Sequence, residues 1–278
     1  MPIKFLLAAL ALAVPLAAQN NGWDDPFPPH RIADNLYYVG SRGLSTYLVT
    51  TSEGLILINA SFDRTVPIIK SNVEKLGFKF SDVKILLTSH AHDDHVGGTA
   101  LVKELTGAKV YAMEGDEKVI ESGGQGQYLY KGAWKPAKVD RVLKDGDEVR
   151  LGDAVLKAIR TPGHTRGCTT WTMKVKDGGK VYNAVIVGSP NANPGYQLTG
   201  NADYPEIASD FAKSFKIWKS LPCDIFLGAH GSYYDMEAKY ARVKNMGPNP
   251  WIDPEGYRTY IAEREKAYLI MLKLPQKP

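Results

Sequence analysis

Three histidines and two aspartates fall within six consecutive residues, His90-Ala91-His92-Asp93-Asp94-His95. Imidazole nitrogens and carboxylate oxygens are ligand types that zinc takes. His90 and His92 stand two apart, so in extended chain both rings point the same way. Asp94 and His95 follow in a turn, and Gly97-Gly98 lets the backbone bend tightly into a following helix. Without a metal, imidazoles this close repel one another on protonation. Such a run makes sense when one segment serves two adjacent metal ions. Two more histidines have similar surroundings. His164 sits in Thr161-Pro162-Gly163-His164-Thr165-Arg166-Gly167, a turn between two strand patterns. His230 sits in Leu227-Gly228-Ala229-His230-Gly231, at the end of a short apolar run. A lone histidine is usually a satisfied structural or surface group. Here that explanation would have to cover five of the chain's six. His30, in a Pro-rich lead-in, has no such context and is read as structural.

These side chains need strand ends and turns to carry them. Strand patterns run over 36–39, 46–51 and 54–59, and a helix with one apolar face over 66–76. The apolar run 83–88 has the mark of a buried strand and leads straight into the histidine-rich turn. A helix over 99–105 and a strand over 108–112 follow. Residues 122–137, rich in Gly, Gln and aromatics, read as a loop whose Tyr128, Tyr130 and Trp134 could flank a groove or cover the sheet. Strands over 147–150, 154–161, 169–175 and 180–187 come next, with DGDE and KDGGK as turn signals. Helices over 204–221, 237–245 and 254–272 surround a short strand at 224–227, the last helix opening on Pro254. There is no internal repeat and no linker. The expectation is one layered α/β domain with two sheets between helices.

The composition excludes several classes. The chain has 278 residues, 44% hydrophobic and 23% charged, with a net charge of +4. Those are ordinary globular values, not those of a disordered or collagen-like chain. The charges are scattered, and no basic stripe suggests a nucleic-acid binder. Residues 1–18 (MPIKFLLAALALAVPLAA) have a basic start, a short apolar stretch and small residues before Gln19. That is a secretory signal pattern, too short to span a bilayer. The expectation is a signal peptide over 1–18 and one mature domain over 19–278, periplasmic or secreted. Cys168 and Cys223 could pair in that compartment or remain two buried free thiols, and the second is favoured.

The HxHxDH run, the TPGHT turn and the GAHG strand end, in this order, resemble the metallo-β-lactamase superfamily over about residues 36–230. The resemblance implies a four-layer αββα sandwich with metals in the groove between sheet edges. It implies that His90, His92 and His164 hold a first Zn2+, and Asp94, His95 and His230 a second. Many hydrolases of the superfamily, thioesterases and lactonases among them, place a bridging Asp after the strand at 181–187. Gly188-Ser189 stands there instead. Ser at that position is similar to the third subclass of metallo-β-lactamases. So are the secretory signal, Thr161–Trp171 (TPGHTRGCTTW), and Pro194-Gly195-Tyr196-Gln197-Leu198 with Gly200-Asn201. There are departures. Asn59-Ala60-Ser61 replaces a common Asp, which puts support of the site from that strand in doubt. Arg166 stands where Pro is frequent, either as a contact for anionic substrates or as a solvated charge.

The implied activity is hydrolysis of the β-lactam amide of penicillins, cephalosporins and carbapenems by metal-bound hydroxide. Asp94 would be a ligand that also orients the nucleophile. Ser189 and Asn191 are candidates for binding the substrate carboxylate. The partner would be a small β-lactam met by a monomer, with no nucleic acid and no membrane after signal cleavage. A related di-zinc hydrolase of lactones or thioesters is the alternative. A periplasmic zinc-binding module without catalysis is the third reading.

Overall fold

A computed structural model describes residues 22–127, 129, 132–243 and 249–275. The signal-like segment 1–18 lies outside the described residues, as do Tyr128 and Tyr130 of the aromatic loop. The first sheet joins β1 (His30–Ala33), β2 (Leu36–Tyr38), β3 (Tyr47–Thr51), β4 (Gly54–Ile58), β5 (Val83–Leu87), β6 (Lys109–Met113) and β7 (Arg141–Leu143) in sequence order. It begins antiparallel and turns parallel from β4 onward. The second sheet holds β8 (Glu148–Leu151), β9 (Ala154–Arg160), β10 (Thr169–Asp177), β11 (Lys180–Val187) and β12 (Ile225–Gly228), with β11 and β12 parallel. The helices are α1 (Val66–Lys75), α2 (Asp93–Val96), α3 (Thr99–Thr106), α4 (Glu117–Glu121), α5 (Ile207–Ser220), α6 (Met236–Val243) and α7 (Pro254–Lys273).

Alternation along the first sheet sorts its side chains into two cores. Tyr47, Val49, Ile56, Ile58, Ile85 and Leu87 face the second sheet, beside Leu156, Ala158 and Trp171. Leu48, Leu55, Leu57 and Leu86 point the other way, onto Val66, Ile69 and Val73 of α1 and Val102 of α3. The larger core continues to Phe211, Phe215 and Trp218 of α5 and to Tyr257, Ile261 and Tyr268 of α7. The order is therefore helices, sheet, sheet, helices, which is the expected αββα sandwich. A sheet with one apolar face must cover it, and two such sheets cover each other.

Some elements differ from the sequence pattern. The lead-in contains β1, because His30–Ala33 pairs with β2 after Pro28-Pro29. The helix expected from Tyr204 starts at Ile207, since Asn201 Oδ1 accepts from the Asp203 and Tyr204 N–H groups and folds the chain into a turn first. α4 and β7 were not anticipated. They are five and three residues long, too short for a periodic signal. Cys168 and Cys223 are both free, Cys168 buried and Cys223 partly so.

Candidate metal centre

Every loop that carries a candidate ligand leaves the carboxyl end of a strand: β5, β9, β11 and β12. Binding crevices in open α/β sheets form at that edge. The two sheets are pinned together there. Thr169 N–H donates to Ser89 O at 2.7 Å, and the Trp171 indole donates to Thr88 O at 3.1 Å. His92 is extended, and α2 begins immediately after it. The chain then passes Gly98, where a Cβ would stand 2.6 Å from Ala60 O and 2.5 Å from Val66 Cγ2. Only glycine fits, and that close approach fixes how α2 leaves the site. His164 rides the β9–β10 turn, closed by Thr161 N–H on Cys168 O at 2.8 Å. His230 follows β12, bridged to Leu44 of the first sheet's loop. The Asn59 departure does not leave this edge unsupported. Asn59 is buried at φ +68°, accepts from Ser89 N–H at 2.8 Å and donates to Ser45 O.

The five histidines and Asp94 converge. The rings of His90, His92 and His164 form a nearly equilateral triangle, with centroids 4.8, 4.6 and 4.7 Å apart. One ligand atom from each lies within 4.8 Å of the others, so this group can hold a metal ion. His90, Asp94 and His95 form a second such group. His230 comes closer still. Its Nε2 is 3.2 Å from His95 Nε2 and 3.5 Å from Asp94 Oδ2, while His95 Nε2 and Asp94 Oδ2 are 3.2 Å apart. Two ligands about 2.0–2.1 Å from one tetrahedral zinc stand roughly 3.4 Å apart. That triangle has the spacing an ion would impose.

The electrostatics fit a metal as well. Burial, aided by the neighbouring imidazoles, holds His90 and His92 well below the usual histidine range. Burial brings His164 down to about 4 and His230 to about 3. Neutral rings keep a lone pair to offer. Burial alone would raise the Asp94 carboxyl, but His95, His230 and His92 beside it hold it far below the carboxylate range. Both His90 nitrogens and His95 Nδ1 are buried without a hydrogen-bond partner among the described residues. Orphaned buried nitrogens are costly unless something else binds them. His164 Nδ1 lies 2.7 Å from Asn191 O, so it carries the proton and Nε2 turns toward the group.

A groove of about 880 Å³ opens above these residues. His90, His92, Asp94, His164 and His230 line it, with Trp23 and Phe62 on one wall and Asn191 and Tyr233 on another. The Trp23 ring centroid is 5.6 Å from that of His230 and 6.0 Å from that of Phe62. Arg42 paired to Glu237 at 2.8 Å stands at the rim. Of the two candidates for carboxylate binding, Asn191 lines the groove and Ser189 is fully buried behind it. Tyr233 joins them, its hydroxyl 3.1 Å from Ser189 Oγ and 2.9 Å from Asn191 Nδ2. Arg166 points elsewhere, over the Tyr204 ring and onto Asp203 O. Trp134 is buried in the smaller core, which settles its place as sheet cover.

Sequence reasoning missed Trp23, Phe62, Tyr233 and Asp116. The first three carry no spacing signal, being single aromatics brought to the groove by tertiary folding. Asp116 follows β6, and only the docking of β6 as the parallel neighbour of β5 brings it beside the histidine loop.

The chain's similarities agree with this geometry. The family model for the metallo-beta-lactamase superfamily matches residues 40–177. The native FEZ-1 metallo-beta-lactamase from Legionella gormanii is 50% identical, with a TM-score of 0.88 over 90% of this chain and 97% of that one. BJP-1, a subclass B3 metallo-beta-lactamase of Bradyrhizobium japonicum, is 40% identical, with a TM-score of 0.86 over 90% and 96%. A hydroxyacylglutathione hydrolase of Methylococcus capsulatus is 37% identical over 82 residues, 30% of this chain. That match spans 26% of the hydrolase's own length.

Proposed function

The chain belongs to the metallo-beta-lactamase superfamily, and from that premise we propose that it is a secreted di-zinc β-lactamase opening the amide of penicillins, cephalosporins and carbapenems. Residues 1–18 are its signal peptide, and 19–278 act as a monomeric periplasmic domain on a small substrate, with no part for nucleic acid. Among the described residues, no helix is long and apolar enough to cross a membrane. His90, His92 and His164 are assigned to one zinc, and Asp94, His95 and His230 to the other. The observation that carries the reading is the Asp94–His95–His230 triangle with Ser189 in place of a bridging carboxylate. Likeness to metallo-beta-lactamases along nearly their whole length, the subclass B3 enzyme BJP-1 among them, supports it.

Bound zinc supplies a Lewis acid for the carbonyl and lowers the pKa of water to about 7. The protein's own groups do the rest. Asp94 Oδ2 would complete a ligand set with His95 Nε2 and His230 Nε2, and the carboxylate would also orient the attacking water. Asn191 holds the substrate carboxylate by its side-chain amide. Ser189 acts on that contact from behind, through the Tyr233 hydroxyl. Trp23 and Phe62 take the apolar face of the bicyclic ring and keep bulk water off it. No side chain serves as a covalent nucleophile, in keeping with Ser189 and Cys168 both being fully buried.

A substrate panel tests this: nitrocefin, a carbapenem, an acyl-homoserine lactone and a glutathione thioester, each with and without EDTA. The expected result is β-lactam turnover abolished by the chelator. No EDTA-sensitive β-lactam turnover at micromolar enzyme overturns the proposal. Turnover of lactone or thioester alone would move the assignment to the other hydrolases of the superfamily.

A further inference from the structure

His90 and His92 share a loop of the first sheet and His164 lies on a loop of the second, so the backbone does not set the spacing of His164 from the other two. Asp116 touches both loops. Ala91, between His90 and His92, donates its N–H to Asp116 Oδ2 at 2.8 Å. Thr165, next to His164, donates its hydroxyl to the same oxygen at 2.7 Å. Gly167 N–H donates to Oδ1 at 2.9 Å. The Ala91 carbonyl is held from the other side by Gln127 Nε2 at 2.7 Å. Asp116 is 1% exposed, so water does not compete for these donors. The backbones interlock where it sits. A Cβ at Gly167 would stand 2.7 Å from Asp116 Cβ and Cγ, and one at Gly115 (φ +102°) 2.9 Å from Arg166 Cβ.

We propose that Asp116 is the positioning residue of the His90/His92/His164 site. Its carboxylate cross-links the two ligand loops, and Gln127 closes the clamp on Ala91. The three imidazoles are thereby spaced before an ion arrives. The inference rests on the metal-binding reading above. Charge-assisted hydrogen bonds to backbone N–H groups are stronger than neutral ones and more exacting in geometry. The other half of the site is supported differently. His95 O accepts from Ala60 N–H at 2.9 Å, and Gly231 N–H donates to Gly43 O at 3.3 Å. Those bonds survive loss of the Asp116 carboxylate, so its effect is confined to one half.

The test is cobalt(II) affinity, measured by competition with a chromophoric chelator together with the d–d absorption spectrum. Asp116→Asn puts an N–H₂ where a donor now points. In a His230→Ala background, which leaves the His90/His92/His164 site, it should weaken cobalt binding about 10- to 100-fold and change the spectrum. In a His164→Ala background it should change cobalt binding by less than about threefold, below the loss of one typical hydrogen bond, because the bonds that hold His95 and His230 do not involve Asp116. Thr165→Val and Thr165→Ser guard against a variant that does not fold. Valine should weaken the first site about 3- to 10-fold, and serine, which keeps the hydroxyl, should restore it. Unchanged cobalt affinity in both Asp116→Asn and Thr165→Val, with only a lower melting temperature, overturns the proposal. A parent chain that binds no cobalt overturns it together with the zinc reading. Cobalt loss as expected in a chain inert to every β-lactam sinks the β-lactamase reading alone.

Discussion

The molecule buries histidine in two ways. His30 lies between Tyr38 and Trp251, its ring within 14° and 12° of parallel to theirs and 5.2 and 5.0 Å from their centroids. Tyr240 closes the cage at 4.7 Å, and Nδ1 is 3.0 Å from Pro28 O. At the groove, neighbouring histidine rings meet at 4.1 to 4.8 Å, largely edge to face, around Asp94. Burial lowers the pKa in both places. What differs is the company. His30 Nε2 faces no partner among the described residues, whereas the groove nitrogens face one another. Desolvation makes a histidine neutral, and only convergence turns neutral lone pairs into a site.

The largest effect that could break this contrast is loss of a groove ligand. His92→Ala should lower kcat/KM about 10³-fold or more, because several kcal/mol of charge stabilisation depend on the metal. Bound zinc should fall in the same sample by elemental analysis. His30→Phe should leave both quantities unchanged. Equal losses in the two variants would mean that the cage and the cluster are one functional unit, against the structure.

Next comes removal of the metal from the intact chain. An ion that binds only the folded state stabilises it by mass action, about 2.7 kcal/mol at a hundredfold excess over Kd. Chelation should therefore lower Tm by roughly 5–10 °C for a chain of this size. Differential scanning calorimetry with and without EDTA reads it directly. In a His164→Ala variant the drop should shrink, and in His30→Phe it should persist in full.

A smaller effect concerns the wall between the cluster and the substrate. Tyr233→Phe deletes the hydroxyl shared by Ser189 and Asn191. Losing such bonds costs about 1 kcal/mol, so KM should rise about 3- to 10-fold with kcat kept within about twofold. Steady-state kinetics separate the two. A fall in kcat at constant KM would place Tyr233 in the chemical step and not in carboxylate binding.

How much of this was legible depended on range. The HxHxDH run announces itself because its ligands are close in sequence. The TPGHT turn and GAHG strand end add the rest because glycines mark strand ends. The strands β4, β5 and β11 were readable as strand patterns, but the order of the layers was not, and the αββα sandwich came from the family resemblance. Asp116 was not readable either, since one aspartate in a polar stretch looks solvated until β6 is seen docked beside β5. Trp23 was hidden likewise, a single aromatic in a polar, Pro-rich lead-in that has no periodic pattern. Tyr204 seemed to open α5 because helix periodicity cannot see the Asn201 turn that precedes it. His30 was rightly left out of the site, but its aromatic cage draws on Trp251, over two hundred residues away.

The finest test of the contrast, one that touches stability and leaves function alone, is the acid behaviour of His30. Its pKa is lowered from 6.5 to about 4, by burial, against a weaker pull from Pro28 O. The unfolded chain takes up the proton near pH 6.5, and the folded chain resists until about pH 4. Between those values the unfolded state binds more protons, so stability falls as pH falls. Above pH 6.5 and below pH 4 this group adds no slope. The whole change amounts to at most about 3 kcal/mol. Metal release at low pH destabilises the chain too, but equally in the parent and in His30→Phe. The difference between their unfolding free energies cancels it. Urea unfolding at pH 7.5, 6, 5 and 4 should show the parent losing ground to His30→Phe on each step below pH 6.5. Parallel curves would mean that the cage accepts a charged imidazole, as a cation between aromatic faces. Burial would then have done less at His30 than at the groove, and the two environments would differ in polarity as well as in company.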